Sequence, residues 1–266
     1  MTLILLTNDD GIQSPGLHAA AKVLKGLGEL LVVAPSTQQT AMGRSFTGRK
    51  CATFEPYPLE LDGEPVRAFG LEASPASVVR HALQALCADR MPDLIVSGIN
   101  YGENVGSCIT CSGTVGAAYE GAGHGIPALA MALQMHPSLV LEHGEANWDT
   151  AAHFTRLFAE RLLATPMPAD VDVIKVDVPE GATVDTPWRL TRLSRQRYFF
   201  MDLEAPHAGS AIGDARFTTR VEHDTLEADS DVHALIQDKI VAVTPLSLDL
   251  TSRAPFGDIQ SALEGR

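Results

Sequence analysis

The sequence is short of positive charge: 20 Lys and Arg stand against 33 Asp and Glu, a formal net charge of −13. A nucleic acid duplex needs a basic face to bind, so that class of partner is excluded. A small anionic substrate is not excluded, because a cation or a helix N-terminus can hold a phosphate locally. No apolar run reaches transmembrane length, and the stretch after Met1 has neither a basic n-region nor a cleavage site. The expectation is a cytoplasmic protein with no membrane partner. Cysteine is scarce: of the four, only Cys108 and Cys111 have CxxC spacing, and no second pair completes a zinc site. Repeats and low-complexity tracts are absent, and Gly and Pro are scattered as turns. At 266 residues the chain is long enough for one large α/β domain, or one domain with an appendage.

What is there begins at once. Leu3-Ile4-Leu5-Leu6 runs straight into Asn8-Asp9-Asp10-Gly11, which reads as a buried strand ending in a charged loop. In an open α/β sheet, ligands bind beyond the carboxyl ends of the strands, which is where this puts Asp9 and Asp10. Two adjacent carboxylates repel, and a bound cation lets both stay ionised. The competing reading is an Asx turn that caps the next helix. Two other signatures fail here. Gly-x-Gly-x-x-Gly does not follow the strand, and Asn8-Asp9-Asp10-Gly11-Ile12 lacks the Asp-x-Asp-x-Thr of haloacid-dehalogenase-type phosphatases.

Pro15 and Gly16 open a helix whose Leu17, Ala20, Ala21, Leu24 and Leu27 share one face, and Gly28 ends it. A second buried strand over 30–35 completes a β-α-β unit. The polar loop 36–45 leaves its carboxyl end, on the same rim as Asp9 and Asp10. A short strand follows at 66–69, then a helix with Ser74 as N-cap and Pro75 at its first position. The strand Asp93-Leu94-Ile95-Val96-Ser97-Gly98-Ile99-Asn100 repeats the opening design, an apolar run ending in Gly and a ligand-type side chain. Ser112-Gly113-Thr114 at the next helix start has the makings of an anion site, since free N–H groups and the helix dipole point out there. An ordinary N-cap would look the same.

Further on, 126–133 reads as an apolar strand, Asn147-Trp148-Asp149 caps a helix through Leu163, and 171–178 alternates as a half-exposed strand would. Beyond Pro179 the pattern changes. Segments 189–200 and 216–221 resemble hairpin strands around the polar 202–214, and Asp229-Ser230-Asp231 caps a short helix before a last strand at 240–245. The span 180–238 reads as an excursion from the sheet, an oligomerisation arm.

The strings Leu5-Leu6-Thr7-Asn8-Asp9-Asp10-Gly11, Val33-Ala34-Pro35, Val96-Ser97-Gly98-Ile99-Asn100, Ser112-Gly113-Thr114-Val115 and Val243-Thr244-Pro245-Leu246 resemble, in order and spacing, the signatures of the SurE survival-protein family. The resemblance spans nearly the whole chain. It implies a single α/β domain, a Rossmann-like, mostly parallel sheet with helices on both faces, and a C-terminal β-hairpin excursion. It implies a 5′-nucleotidase, a phosphomonoesterase dependent on a divalent metal, Mg²⁺ or Mn²⁺, with Ca²⁺ able to stand in within a crystal. The metal set carried over is Asp9, Asp10, Thr40 and Asn100, with Asp9 and Asp10 also catalytic. The phosphate set is Asn8, Gly11, Asn104, Ser112, Gly113 and Thr114. The expected partners are a nucleoside monophosphate or another small phosphate ester, and further copies of the chain as a homodimer or homotetramer. Alternatives are a phosphatase for another small ester or polyphosphate, and a binding or scaffold protein with little turnover.

Several positions depart from the family pattern. Its Asp-x-x-x-Ser-Gly loop is here Ser36, then Thr40-Ala41, and its Tyr-Ser-Gly-Thr is Cys111-Ser112-Gly113-Thr114. Its Gly-Thr-Pro-Ala-Asp-Cys is Ala73-Ser74-Pro75-Ala76-Ser77-Val78, and its Asn-Val-Asn-x-Pro strand is Lys175-Val176-Asp177-Val178-Pro179. Thr40 keeps the hydroxyl oxygen of the serine it replaces. Ala41 gives up the conformational freedom of glycine.

Overall fold

A computed structural model of the chain describes residues 1–136 and 145–265. Its elements in order are β1 (Leu3–Thr7), α1 (Pro15–Leu24), β2 (Glu29–Pro35), β3 (Glu55–Pro56), β4 (Leu59–Leu61), β5 (Glu64–Leu71), α2 (Pro75–Ala85) and β6 (Leu94–Tyr101). Then come α3 (Gly113–Ala122), β7 (Ala128–Leu133), α4 (Asp149–Ala164), β8 (Val173–Val178), β9 (Trp188–Leu190), β10 (Phe199–Asp202), β11 (Arg216–Thr219), α5 (Asp231–Ile236), β12 (Val241–Leu246) and α6 (Phe256–Leu263).

The main sheet runs β3-β5-β2-β1-β6-β7-β8-β12-β9, with β4 paired to β5. The six strands from β5 to β8 are parallel, while β12 runs antiparallel to β8. Alternation along β1 explains the layers. Ile4 and Leu6 pack under α1 and α4, and Leu3 and Leu5 pack under α2 and α3. Ile4, Leu5 and Leu6 are fully buried, a contribution of roughly 1.5–3 kcal/mol each. This is the α/β fold that the sequence predicts.

The chain adds β2 and β5 on one side of β1, then returns to place β6 on the other. The strand order therefore reverses between β1 and β6, whose ends meet at Thr7 beside Ser97. Such a switch point opens a crevice at the carboxyl ends of the strands. Asp9 and Asp10 follow one strand, and Asn100 is the last residue but one of the other.

The structure differs from the sequence reading in four places. Strand β8 is buried along its whole length, not half exposed. Its polar Lys175 pairs with both Asp177 on the same strand and Asp231, so these charges are met inside the protein. The 189–200 segment is divided: β9 joins the edge of the main sheet beside β12, and β10 pairs with β11 as a separate antiparallel hairpin. Ser74 precedes α2 without capping it, because its hydroxyl donates to the Ser45 carbonyl at 2.6 Å and accepts the Thr47 N–H at 3.2 Å. Strands β3 and β4 and helix α6 have no counterpart in the sequence reading, and the 66–69 strand is longer, as β5.

Candidate active site

The β1 chain end is turned by Asn8. Its Nδ2 donates to the Gly11 carbonyl and its Oδ1 accepts the Gly11 N–H, both at 3.1 Å. Gly11 sits at φ +101°, a left-handed region where a side chain is strained. Asn8 is fully buried in this role. It shapes the loop, and its amide is committed to Gly11.

The turn presents two carboxylates that are almost entirely buried, Asp9 at 6% and Asp10 at 5% exposure. Asp9 accepts the Thr114 hydroxyl at 2.5 Å. Gly113 permits this approach, since a Cβ there would lie 2.7 Å from the Asp9 carboxylate. The anion expected at the start of α3 is thus, first of all, Asp9 itself. Ser112 caps the helix, its Oγ accepting the Val115 N–H at 3.1 Å. Asp10 accepts the Tyr101 N–H at 3.0 Å and the Gln38 amide at 3.4 Å. Burial, together with the neighbouring Asp10 charge, pushes Asp9 up to about 7, against the Thr114 hydroxyl, which favours the ionised form.

Two buried carboxylates side by side are a place that a cation would stabilise. Among the described residues, no three or more His, Cys, Asp or Glu are grouped to hold an ion. A cation here would draw on neutral oxygens beside Asp9 and Asp10, a hard donor set suited to Mg²⁺, Mn²⁺ or Ca²⁺. The residues present fit that requirement. Asn100 adjoins Tyr101 at the rim, and its Nδ2 donates to the Tyr101 and Gly102 carbonyls at 3.2 and 2.6 Å. Its oxygen remains as the ligand-type atom. Thr40 is exposed, one residue past Gln39, whose N–H reaches the Asp9 carbonyl at 2.7 Å. The loop therefore returns to Asp9 at this point, but the Thr40 hydroxyl makes no hydrogen bond to either carboxylate. Ala41 adopts φ +61°, so alanine takes the left-handed conformation without the glycine the family carries there.

Asn104 lies in the loop after β6, half buried, with its N–H on Asp177 at 2.7 Å. The structure thus brings Asp9 against Gly113 and Thr114, places Asp10 next to it on Tyr101 and Gln38, and sets Asn8 and Gly11 in the same turn.

Sequence reasoning missed several contributors. Gln38 and the Tyr101 N–H hold Asp10, and nothing in their residue types announces it. Glu120 is 1% exposed in α3 and takes Arg44 Nε at 2.9 Å and Arg80 Nε at 3.1 Å. This pair ties the 36–45 loop down over α3. Gly43 donates its N–H to the Cys111 carbonyl at 2.9 Å. The isolated Glu in Gly116-Ala117-Ala118-Tyr119-Glu120-Gly121 was the available signal. The buried Lys175–Asp177–Asp231 cluster was also missed, hidden by the alternation of β8.

The family model for survival protein SurE matches residues 4–199. The 5′-nucleotidase SurE of Methanocella arvoryzae is 37% identical over 263 residues, covering 94% of this chain and 93% of its own. That of Thermococcus gammatolerans is 38% identical over 268 residues, covering 98% and 96%. A crystal structure of the SurE protein from Aquifex aeolicus superposes with a TM-score of 0.73 at 28% identity, covering 98% of this chain and 99% of that one.

Proposed function

The chain belongs to the SurE survival-protein family, and from that membership and the site geometry we propose that it is a divalent-metal-dependent 5′-nucleotidase. It is an enzyme that releases phosphate from nucleoside 5′-monophosphates. The relatives' shared activity supports the reaction class. The observation that carries the metal dependence is the buried Asp9–Asp10 pair at the strand-order switch, with Asp9 raised to about 7.

Asp9, Asp10, Thr40 and Asn100 would hold the cation. When bound, a cation of this class polarises phosphoryl oxygens and lowers the pKa of a water. The chain's own residues do the rest. Asp9 and Asp10 would hold that cation beside the start of α3, where Asp9 already meets Gly113 and Thr114. The N-terminal turn of α3 at Ser112, Gly113 and Thr114 offers positive dipole to the phosphoryl group, and Asn104 contributes from the β6 loop. Asp9, Asp10 and Thr114 are buried, and in that setting their interactions are stronger than in bulk water.

The protein acts in the cytoplasm as a homodimer or homotetramer. No described helix is long and apolar enough to cross a membrane. Exposed Met201 and Phe217 on the β10–β11 hairpin, and Phe256 and Leu263 on α6, support assembly. Phosphate release from the nucleoside 5′-monophosphates with Mg²⁺, Mn²⁺ or EDTA tests the proposal. Turnover with metal and loss in EDTA, restored by adding metal, is expected. Full turnover in EDTA refutes the metal dependence, and no turnover with any metal refutes the enzyme.

A further inference from the structure

We infer that Asp177, held by Lys175, is a positioning residue for the phosphate site: it fixes the backbone of the loop that carries Asn104. The inference rests on the proposed role of Asn104 in phosphate binding.

Lys175 and Asp177 are two apart on β8 and therefore face the same side of the sheet. They are 1% and 0% exposed. The Lys175 ammonium bonds to Asp177 and reaches Asp231 at 3.2 Å. Burial alone would drive that ammonium towards its neutral form, but the two carboxylates raise it and keep it charged. One cation against two carboxylates leaves a net charge of −1 in a site closed to water. Backbone N–H groups supply the balance. Asp177 takes the Asn104 N–H at 2.7 Å, and Asp231 takes those of Gly106 at 3.1 Å and of Ser194 and Val232 at 2.9 Å.

Two of those four donors, Asn104 and Gly106, belong to the β6 loop. A buried carboxylate deprived of a donor is penalised heavily. Loop conformations that withdraw Asn104 or Gly106 are therefore disfavoured, and the cluster selects one placement. A second contact closes the other side, where the Tyr198 hydroxyl donates to buried Glu103 at 2.6 Å. Gly106, at φ +61°, lets the loop lie against the Gln196 carbonyl, which a Cβ would meet at 2.8 Å. The loop is thus preorganised before substrate arrives, which is how a remote residue lowers KM.

The test compares Asn104→Ala, Asp177→Asn, the pair Lys175→Met/Asp177→Val, and that pair combined with Asn104→Ala. The paired change leaves Asp231 on its three backbone N–H donors without its ammonium, so its melt is read first, and Asp177→Val, which keeps Lys175 against Asp231, takes its place if the pair does not fold. Thermal melting confirms folding of each variant. KM and kcat are read with adenosine 5′-monophosphate and Mg²⁺, and binding of inorganic phosphate by calorimetry. Asn104→Ala and the paired variant should each raise KM and the phosphate Kd by on the order of tenfold, and the combination should go no further than Asn104→Ala alone. Asp177→Asn keeps an oxygen for the Asn104 N–H and should stay near the wild-type KM. An effect of Asn104→Ala without one from the paired variant overturns the inference and leaves the role of Asn104 standing. So do effects that multiply in the combination. An Asn104→Ala protein with unchanged KM and phosphate Kd overturns both.

Discussion

Replacing Asp9 by Asn should stabilise the metal-free protein while abolishing its chemistry. In the folded chain Asp9 keeps its proton up to about pH 7, because burial and Asp10 disfavour the anion, whereas an unfolded carboxylate ionises near 3.8. Between those values the folded state binds the extra proton, so stability is full at low pH and falls as pH rises towards 7. One pKa unit is about 1.36 kcal/mol, so the loss by pH 8 is up to about 4 kcal/mol. Asn is nearly isosteric, carries no charge and still offers an oxygen to the Thr114 hydroxyl. In EDTA, Asp9→Asn should therefore exceed wild type by roughly 1–2 kcal/mol at pH 5 and by about 3–4 at pH 8. For a chain of this size the latter gap is a melting-point rise of roughly 5–10 °C. Denaturation of both proteins across pH 5–8 in EDTA reads this directly. Adding Mg²⁺ should reverse the order, since the wild type gains RT ln(1 + [M]/Kd) and the variant little of it, and nucleotide hydrolysis by the variant should fall by orders of magnitude. A metal-free Asp9→Asn that melts at or below wild type at pH 8, or a gap that does not grow with pH, would refute the argument that Asp9 is a strained anion awaiting a cation.

Other outcomes follow from the same rim. Ala41→Gly relieves a left-handed φ worth about 1–2 kcal/mol, less about 0.4–1 for the freer unfolded chain, so denaturant melts should show a gain of about 0.5–1 kcal/mol. Thr40→Ser should keep metal affinity and turnover, whereas Thr40→Val, nearly isosteric without the oxygen, should weaken both in calorimetry and phosphate release. A fully active Thr40→Val enzyme would remove Thr40 from the metal set. Light scattering at micromolar concentration should give a dimer or tetramer mass, and a monomer would contradict the assembly.

Much of this was legible because the pattern is local. Four apolar residues running into Asp9 and Asp10 can be read without any partner, and so can the cap at Ser112, whose bond to Val115 spans three residues. What was illegible depends on distant partners. Periodicity records that Lys175 and Asp177 are polar at alternate positions, and solvent is the usual reason. Here the reason is Asp231, 56 residues along the chain from Lys175. Ser74 has the right type and place for a cap, yet a loop 29 residues earlier takes its hydroxyl. Gln38 reaches Asp10 across 28 residues from a loop whose polar composition looks merely solvated.

The buried carboxylates themselves divide by what answers them. Glu120 meets two guanidinium groups, Asp177 and Asp231 share an ammonium, and Glu103 receives a phenol hydroxyl. Each of these ties down a loop of the rim: 36–45 through Arg44, and 102–107 through Asn104, Gly106 and Tyr198. Asp9 is answered differently, by the Thr114 hydroxyl and by the like charge of Asp10. Two acidic groups side by side at the strand-order switch, both buried and Asp9 raised, form the place where the proposed cation would act. Under the proposed function the acidic balance is no obstacle: a cation at Asp9 and Asp10, with the dipole of α3, would attract the phosphate without a basic surface.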